Sequence, residues 1–260
     1  MFKQHNNSIE QNSPGLSIDI NCDMGEGMQN DAALMPFISS ANIACGFHAG
    51  NENTIKRTIE LAVMHDVAIG AHPSYQDREN FGRLSQSISL IELAELISDQ
   101  LSLFEKITKQ MGCKIHHVKL HGALYNDCAK DPMSSKIIAQ TIQAIDPSIL
   151  LYGLSGSHTI KEARAIGLIG VQEAFADRSY QSNGQLTPRH KDHALITDPN
   201  EAAKQVLTMI LDQEIKTEDG TMIDVNAETI CIHGDHPAAV EIASHLFNTL
   251  QQYQIEIKYP

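Results

Sequence analysis

Basic residues, paired cysteines and long apolar runs are all in short supply in this sequence, and each shortage excludes something. Lys and Arg number 19 against 32 Asp and Glu, a formal charge of −13. An acidic surface repels phosphate backbones and anionic lipid, so neither nucleic acid nor a membrane surface is an expected partner. No apolar run approaches the roughly 20 residues of a membrane span. The opening stretch MFKQHNNSIEQNSPGL lacks the apolar core of a signal peptide, and a disordered arm is expected over residues 1–15. The five cysteines (Cys22, Cys45, Cys113, Cys128, Cys231) are odd in number, and no two form a C-x-x-C pair. They read as free thiols in a reducing cytoplasm. Three catalytic signatures are missing as well. There is no G-x-x-x-x-G-K-[ST] loop; Gly25-Glu26-Gly27 lacks the third glycine of a dinucleotide fingerprint; and Gly153-Leu154-Ser155-Gly156 has the wrong spacing for a nucleophile elbow.

What remains is ample for a core: 260 residues, 42% of them hydrophobic. Seven short apolar, β-branched runs recur: Ser17–Cys22, Ala41–Cys45, Val67–Ala71, Ile115–Leu120, Ile149–Leu154, Gly170–Phe175 and Thr229–His233. They alternate little, which suggests strands buried on both faces and hence a parallel sheet. Helical patterns lie between them. Ser89 with Glu92 makes a capping box ahead of Leu93, Ile97, Leu101 and Phe104. Asp198-Pro199-Asn200-Glu201 makes a second, and Pro237 is expected to open a last helix. Strand-then-helix repetition without a linker predicts one α/β domain over residues 16–260, either a barrel or a doubly wound sheet.

Polar residues gather where these runs end. The first run is followed by Asp23 and Glu26, the second by His48, the third by His72. The fourth gives Lys119 and His121, the sixth Glu173 with Asp177-Arg178, the seventh His233, Asp235 and His236. His158 lies beyond the fifth. In parallel α/β folds the carboxyl ends of the strands form the reactive face. Any one of these residues alone is more often a cap or a turn residue; Asp23 could make an Asx-turn and Asp235 an N-terminal cap. The cluster is what points to a site. His65, His116, His117, His190, His193 and His245 carry no such positional signal and read as surface or satisfied histidines.

The blocks INCDMGEG, SANIACGFHAGN, IGAHPSYQD, HVKLHGALYN, EAFADRSY and ICIHGD closely resemble the LamB/YcsF family, the A subunits of 5-oxoprolinase, in the family's order. The resemblance implies a seven-stranded parallel (β/α) barrel of the glycoside hydrolase/deacetylase type. It implies ATP-dependent hydrolysis of the lactam 5-oxoproline (pyroglutamate) to L-glutamate, performed with separate B and C subunits. ATP with Mg²⁺ would be consumed as co-substrate, and no tightly bound cofactor is expected. Such chemistry needs cations and donors around developing negative charge, a base for water and an acid for the ring nitrogen. Lys119, His121, His48 and His72 are the natural donors and proton carriers. Asp23, Glu26 and Asp235 are candidate bases or Mg²⁺ ligands. Asn21, Glu26, Glu173, Arg178 and His233 are candidates for substrate or phosphate binding. Lys119 and His121, two apart, should face the same side of their strand, and Lys119→Met and His121→Gln are expected to leave folding near normal. Two alternatives stay open. One is a metal-dependent amidohydrolase or deacetylase without ATP, its ion held by Asp23, His48 and His72. The other is a lactam-binding subunit that performs no chemistry.

Overall fold

The computed structural model describes residues 15–260; all but the last residue of the expected arm lies outside them. Ten strands are found among the described residues: β1 (Ser17–Met24), β2 (Ser40–Ala44), β3 (Ala68–His72), β4 (His117–Lys119), β5 (Leu150–Leu154), β6 (Gly170–Phe175), β7 (Glu214–Lys216), β8 (Met222–Asp224), β9 (Thr229–Ile232) and β10 (Glu256–Ile257). Eight α-helices alternate with them: α1 (Asp31–Leu34), α2 (Glu52–Met64), α3 (Leu90–Gln110), α4 (Gly122–Lys130), α5 (Pro132–Ile145), α6 (His158–Ala165), α7 (Pro199–Leu211) and α8 (Ala239–Gln252).

Seven strands follow in the order β1-β2-β3-β4-β5-β6-β9, all parallel, and β9 pairs back to β1 with Asp19 opposite Thr229. The sheet therefore closes, and the fold is a seven-stranded parallel barrel with helices around it. The open-sheet alternative is excluded. All seven expected runs become barrel strands. Three further strands match no expected run: β10, which extends β1 at its amino end, and the small antiparallel hairpin β7–β8. The last helix starts at Ala239 rather than at Pro237.

Local signals explain the helix starts. Ser89 accepts from the Glu92 amide while Glu92 accepts from the Ser89 amide, so α3 opens on a complete capping box. Pro132 and Pro199 occupy first-turn positions behind the aspartate caps Asp131 and Asp198. The buried stripe of α3, Leu93, Ile97, Leu101, Phe104 and Ile107, then packs on the barrel wall.

The lumen departs from expectation. β1 alternates strictly, with Ile18, Ile20, Cys22 and Met24 facing the helices and Asp19, Asn21 and Asp23 facing inward. The inward assignment follows from the contacts. Asn21 reaches Glu173 on β6 at 2.8 Å and Lys119 on β4 at 3.2 Å, neither strand being a neighbour of β1. Both faces are buried, as parallel strands require, yet one of them is polar. At its base Asp19 accepts from Ser39 at 2.6 Å, Ser40 at 2.8 Å and Thr229 at 2.6 Å. Above it, the His117 ring stacks on Tyr152 at 4.1 Å and bonds Asn42 at 2.8 Å. Buried polar groups persist only when hydrogen-bonded, and here each is linked to the next. All five cysteines are free. No helix among the described residues is long and apolar enough to cross a membrane.

Candidate functional site

The carboxyl ends of the barrel strands open into a cavity of about 440 Å³, within the range of small-molecule sites. Asp23, Lys119, His121, Tyr125, Phe175, Arg178 and His233 are among the residues that line it, with Arg83 and Arg189 at its mouth.

Lys119 closes the floor. Its ammonium lies 2.9 Å from Asp23, 3.0 Å from Glu173 and 2.9 Å from the Cys231 sulfur, and it is 2% exposed. Burial works against that charge, but Asp23, Cys231 and Glu173 outweigh it, and the Lys119 pKa stands well above its ordinary value. Asp23 is pulled the other way. Burial would raise it, yet the His72 and Lys119 charges hold it well below the usual carboxylate range. Asn42 donates to Asp23 at 2.9 Å and to Asn21 at 2.7 Å, which fixes the pair from below. Lys119 is thus a preformed charge at the end of the lumen. That burial qualifies the expectation for Lys119→Met: two buried carboxylates would lose their cation, so a loss of stability is expected beside the loss of activity.

Beside this floor stands a second group. The Glu26 carboxylate lies 3.0 Å from His48 Nε2 and 3.2 Å from His121 Nδ1, and 3.7 Å from His72 Nε2. His72 Nε2 is also 3.3 Å from Asp23 and 2.9 Å from His121 Nδ1. The rings of His48 and His121 stack at 3.9 Å. Burial drives the His48 pKa down to about 4, so that ring is neutral at physiological pH. Burial also opposes charge on His72, but Asp23 and Glu26 overcome it and raise the pKa. Glu26 sits well below its usual value; burial opposes this, and His121 and His48 prevail. One ligand atom from each of Glu26, His48, His72 and His121 falls within 4.8 Å of every other. These four residues, not Asp23 with two histidines, are the set that could hold a metal. Asp23, Cys231 and His233 also bring ligand atoms together, but the Lys119 ammonium already fills the place of a cation beside Asp23 and Cys231.

Most residues singled out from the sequence therefore converge on one end of the barrel. Asp23 lies within β1 rather than in an Asx-turn. Lys119 is the last residue of β4, and His121 stays extended at φ −99°, ψ 147°, so both turn to the same mouth. His233 leans on the buried Asp177 at 3.0 Å. Arg178 is buried against the carbonyls of Thr187 and Ala194, and burial lowers its pKa to about 10. Asp235 stands apart. It pairs with Arg83 and Arg189, does not line the cavity, and so is poorly placed as a base. His117 is a satisfied core histidine, with partners on both ring nitrogens. Sequence reasoning passed over Asn42, Ser74 and Cys231; only the Ser40/Asn42 alternation on β2 could have marked the first of them.

A sequence model of the LamB/YcsF family matches residues 18–260. The chain belongs to the LamB/YcsF family. Among curated members, the 5-oxoprolinase A subunit of Bordetella parapertussis is 45% identical over 247 residues, 93% of this chain and 98% of that protein. The 5-oxoprolinase A subunit of Shouchella clausii shares the same identity over the same length. The crystal structure of a lactam utilization protein from Thermus thermophilus superimposes with a TM-score of 0.88 at 38% identity, over 94% of this chain and 99% of that one. A family 4 carbohydrate esterase from Streptomyces lividans aligns at a TM-score of 0.50 and 8% identity over 94% of this chain and 92% of that one, a likeness of fold alone. In this LamB/YcsF chain the family match spans both the Lys119 floor and the Glu26 group.

Proposed function

We propose that this chain is the lactam-handling subunit of an ATP-dependent 5-oxoprolinase, which opens 5-oxoproline to L-glutamate together with separate B and C subunits. Relatives named as 5-oxoprolinase subunits, and a structural relative named for lactam utilization, support the substrate class. Because those relatives are named as one lettered subunit of an enzyme, they also support partner chains.

The observation that carries the reading is Lys119, a buried ammonium held between two carboxylates at the floor of a small cavity, with His121 two residues on at the same mouth. A lactam carbonyl is a poor electrophile, and its opening builds negative charge on oxygen. A fixed ammonium meets that charge without reorganisation. In the overall reaction 5-oxoproline, ATP and two waters become glutamate, ADP and phosphate. The γ-phosphoryl group of ATP passes to the lactam oxygen, ADP leaves, and the ring carbon becomes more electrophilic. Water then attacks that carbon, the ring nitrogen leaves with a proton to give the side-chain carboxyl phosphate of glutamate, and the second water releases phosphate from it. Both ring nitrogens of His121 are engaged, Nδ1 with Glu26 and His72 and Nε2 with the Phe81 carbonyl, so that proton is assigned to water in the cavity, and His121 shapes the wall beside Lys119. Asp23, strongly ionised, serves better as the partner that orients Lys119 than as a base. Arg83, Arg178 and Arg189 give the mouth the positive charge that a substrate carboxylate or the phosphates of Mg-ATP would meet.

The test is glutamate and ADP release, first by this chain alone and then with the B and C subunits added. Turnover that needs ATP and all three subunits is expected, with Lys119→Met lowering it about 10²–10³-fold and His121→Gln lowering it by disturbing the cavity wall beside Lys119. Ring opening by the lone chain without ATP would overturn the nucleotide requirement. Wild-type turnover by both variants would remove the assigned roles.

A further inference from the structure

Three imidazoles and a carboxylate meet beside the cavity wall, and the outer side of each ring says what they present to one another. His72 Nδ1 is 2.7 Å from the Lys119 carbonyl, and His121 Nε2 is 2.9 Å from the Phe81 carbonyl. A carbonyl only accepts, so those two nitrogens carry the protons. His48 Nδ1 is 2.8 Å from Ser74 Oγ, whose hydroxyl is already given to the Tyr75 carbonyl at 2.8 Å; it too must donate. In the neutral rings the inward atoms, His48 Nε2, His72 Nε2 and His121 Nδ1, therefore all point lone pairs at Glu26 and at each other. Four acceptors facing inward at 2.9–3.7 Å in a buried pocket repel unless a metal ion or a shared proton sits among them.

We infer that Glu26, His48, His72 and His121 form a binding site for one first-row transition-metal ion, Zn²⁺ in the first instance. The spacing fits. Bonds of about 2.0–2.1 Å in a tetrahedron place ligand atoms about 3.3 Å apart, and the four measured separations bracket that value. The donor set fits as well, since imidazoles select transition ions whereas Mg²⁺ and Ca²⁺ take oxygen cages. The outer contacts to Ser74, Lys119 and Phe81 are those that fix the tautomer and aim of a ligating histidine. The surroundings are built to hold the rings. Phe81, whose carbonyl meets His121, takes the left-handed φ +56°, and a Cβ on Gly82 would stand 3.0 Å from both His48 and His121. Asp23, 3.3 Å from His72 Nε2, is the nearest further donor and joins this site to the Lys119 floor. The site requires nothing of the lactam reading.

Metal content of the full chain, purified without chelator and again after chelation and reloading with Zn²⁺, tests the assignment. About one equivalent of Zn²⁺ should survive gel filtration. Substitution with Co²⁺ should give the visible d–d bands of a nitrogen- and oxygen-ligated ion. The double variant His48→Gln/His121→Gln should lose both while keeping its circular dichroism. Ser74→Ala, which touches no ion, should weaken affinity about 10–100-fold and shift the cobalt bands; it decides the matter should the double variant fail to fold. Wild-type protein that retains no Zn²⁺, Mn²⁺, Co²⁺ or Fe²⁺ would overturn the site and leave shared protons as the cement of the cluster. Full metal content in a folded double variant, or an unchanged Ser74→Ala, would overturn it equally.

Discussion

Lys119 is where stability and chemistry meet in one side chain. Its ammonium compensates Asp23 and Glu173, both buried, so Lys119→Met strands two carboxylates in the lumen. Removing one partner of a buried pair costs about 3–5 kcal/mol. Urea unfolding should register that loss separately from the fall in turnover. Asp177 offers a residue-scale test against pH. Burial opposes its charge, but the His233 ring and amide hold its pKa down at about 2, against an ordinary value of 3.8. An acid that binds protons less readily when folded stabilises fully above its unfolded value, and the gain fades as pH falls towards the folded one. Asp177→Asn should therefore cost about 2 kcal/mol near neutrality, and its deficit relative to wild type should shrink between pH 4 and pH 2. A deficit that is constant with pH would show that packing, not charge, is what Asp177 supplies.

At the scale of elements, the parallel pairing of β3 and β4 depends on one missing side chain. The His117 ring on β4 lies against Gly70 on β3, where any Cβ would run into it. Gly70→Ala must push the ring off Tyr152 and Asn42, or move the strand. Overpacking of this kind costs about 1–3 kcal/mol. Denaturant titration should find Gly70→Ala destabilised by that much or more. The same variant should be milder when His117 is also shortened, because the clash is then gone.

Across the whole molecule, three loops from different parts of the barrel meet over the mouth. Arg83 follows β3, Arg189 follows β6, and both pair with Asp235 beyond β9. These are partly solvated pairs and contribute less than about 1 kcal/mol to folding. Asp235→Asn should leave the melting temperature nearly unchanged but loosen the loops, and limited proteolysis between residues 76 and 86 or 188 and 193 should quicken. Equal proteolysis rates in both proteins would mean that the pairs do not hold the mouth together.

Periodicity and capping act over a few residues, and so the seven barrel runs, the Ser89 box and the Asp198 cap were all legible in the sequence. So was the rule that the polar residues trailing the strands gather at one end, since parallel strands must end together. What the sequence could not decide was which of them touch. Asp19 bonds Thr229 across 210 positions, and only closure of β9 onto β1 brings them together. The same closure turned the polar face of β1 inward, so that both faces are buried, as expected, although one of them is polar. It grouped Glu26 with three histidines in place of the Asp23 set, and it left Asp235 with arginines from two distant loops. The hairpin β7–β8 and the short β10 carry little periodic signal, because two or three residues cannot display a pattern; their pairing is set by the partner strand. Residue type and spacing determined a parallel α/β sheet and the end at which its polar groups gather, while closure into a barrel and the distances across its lumen, which no local pattern encodes, decided the site.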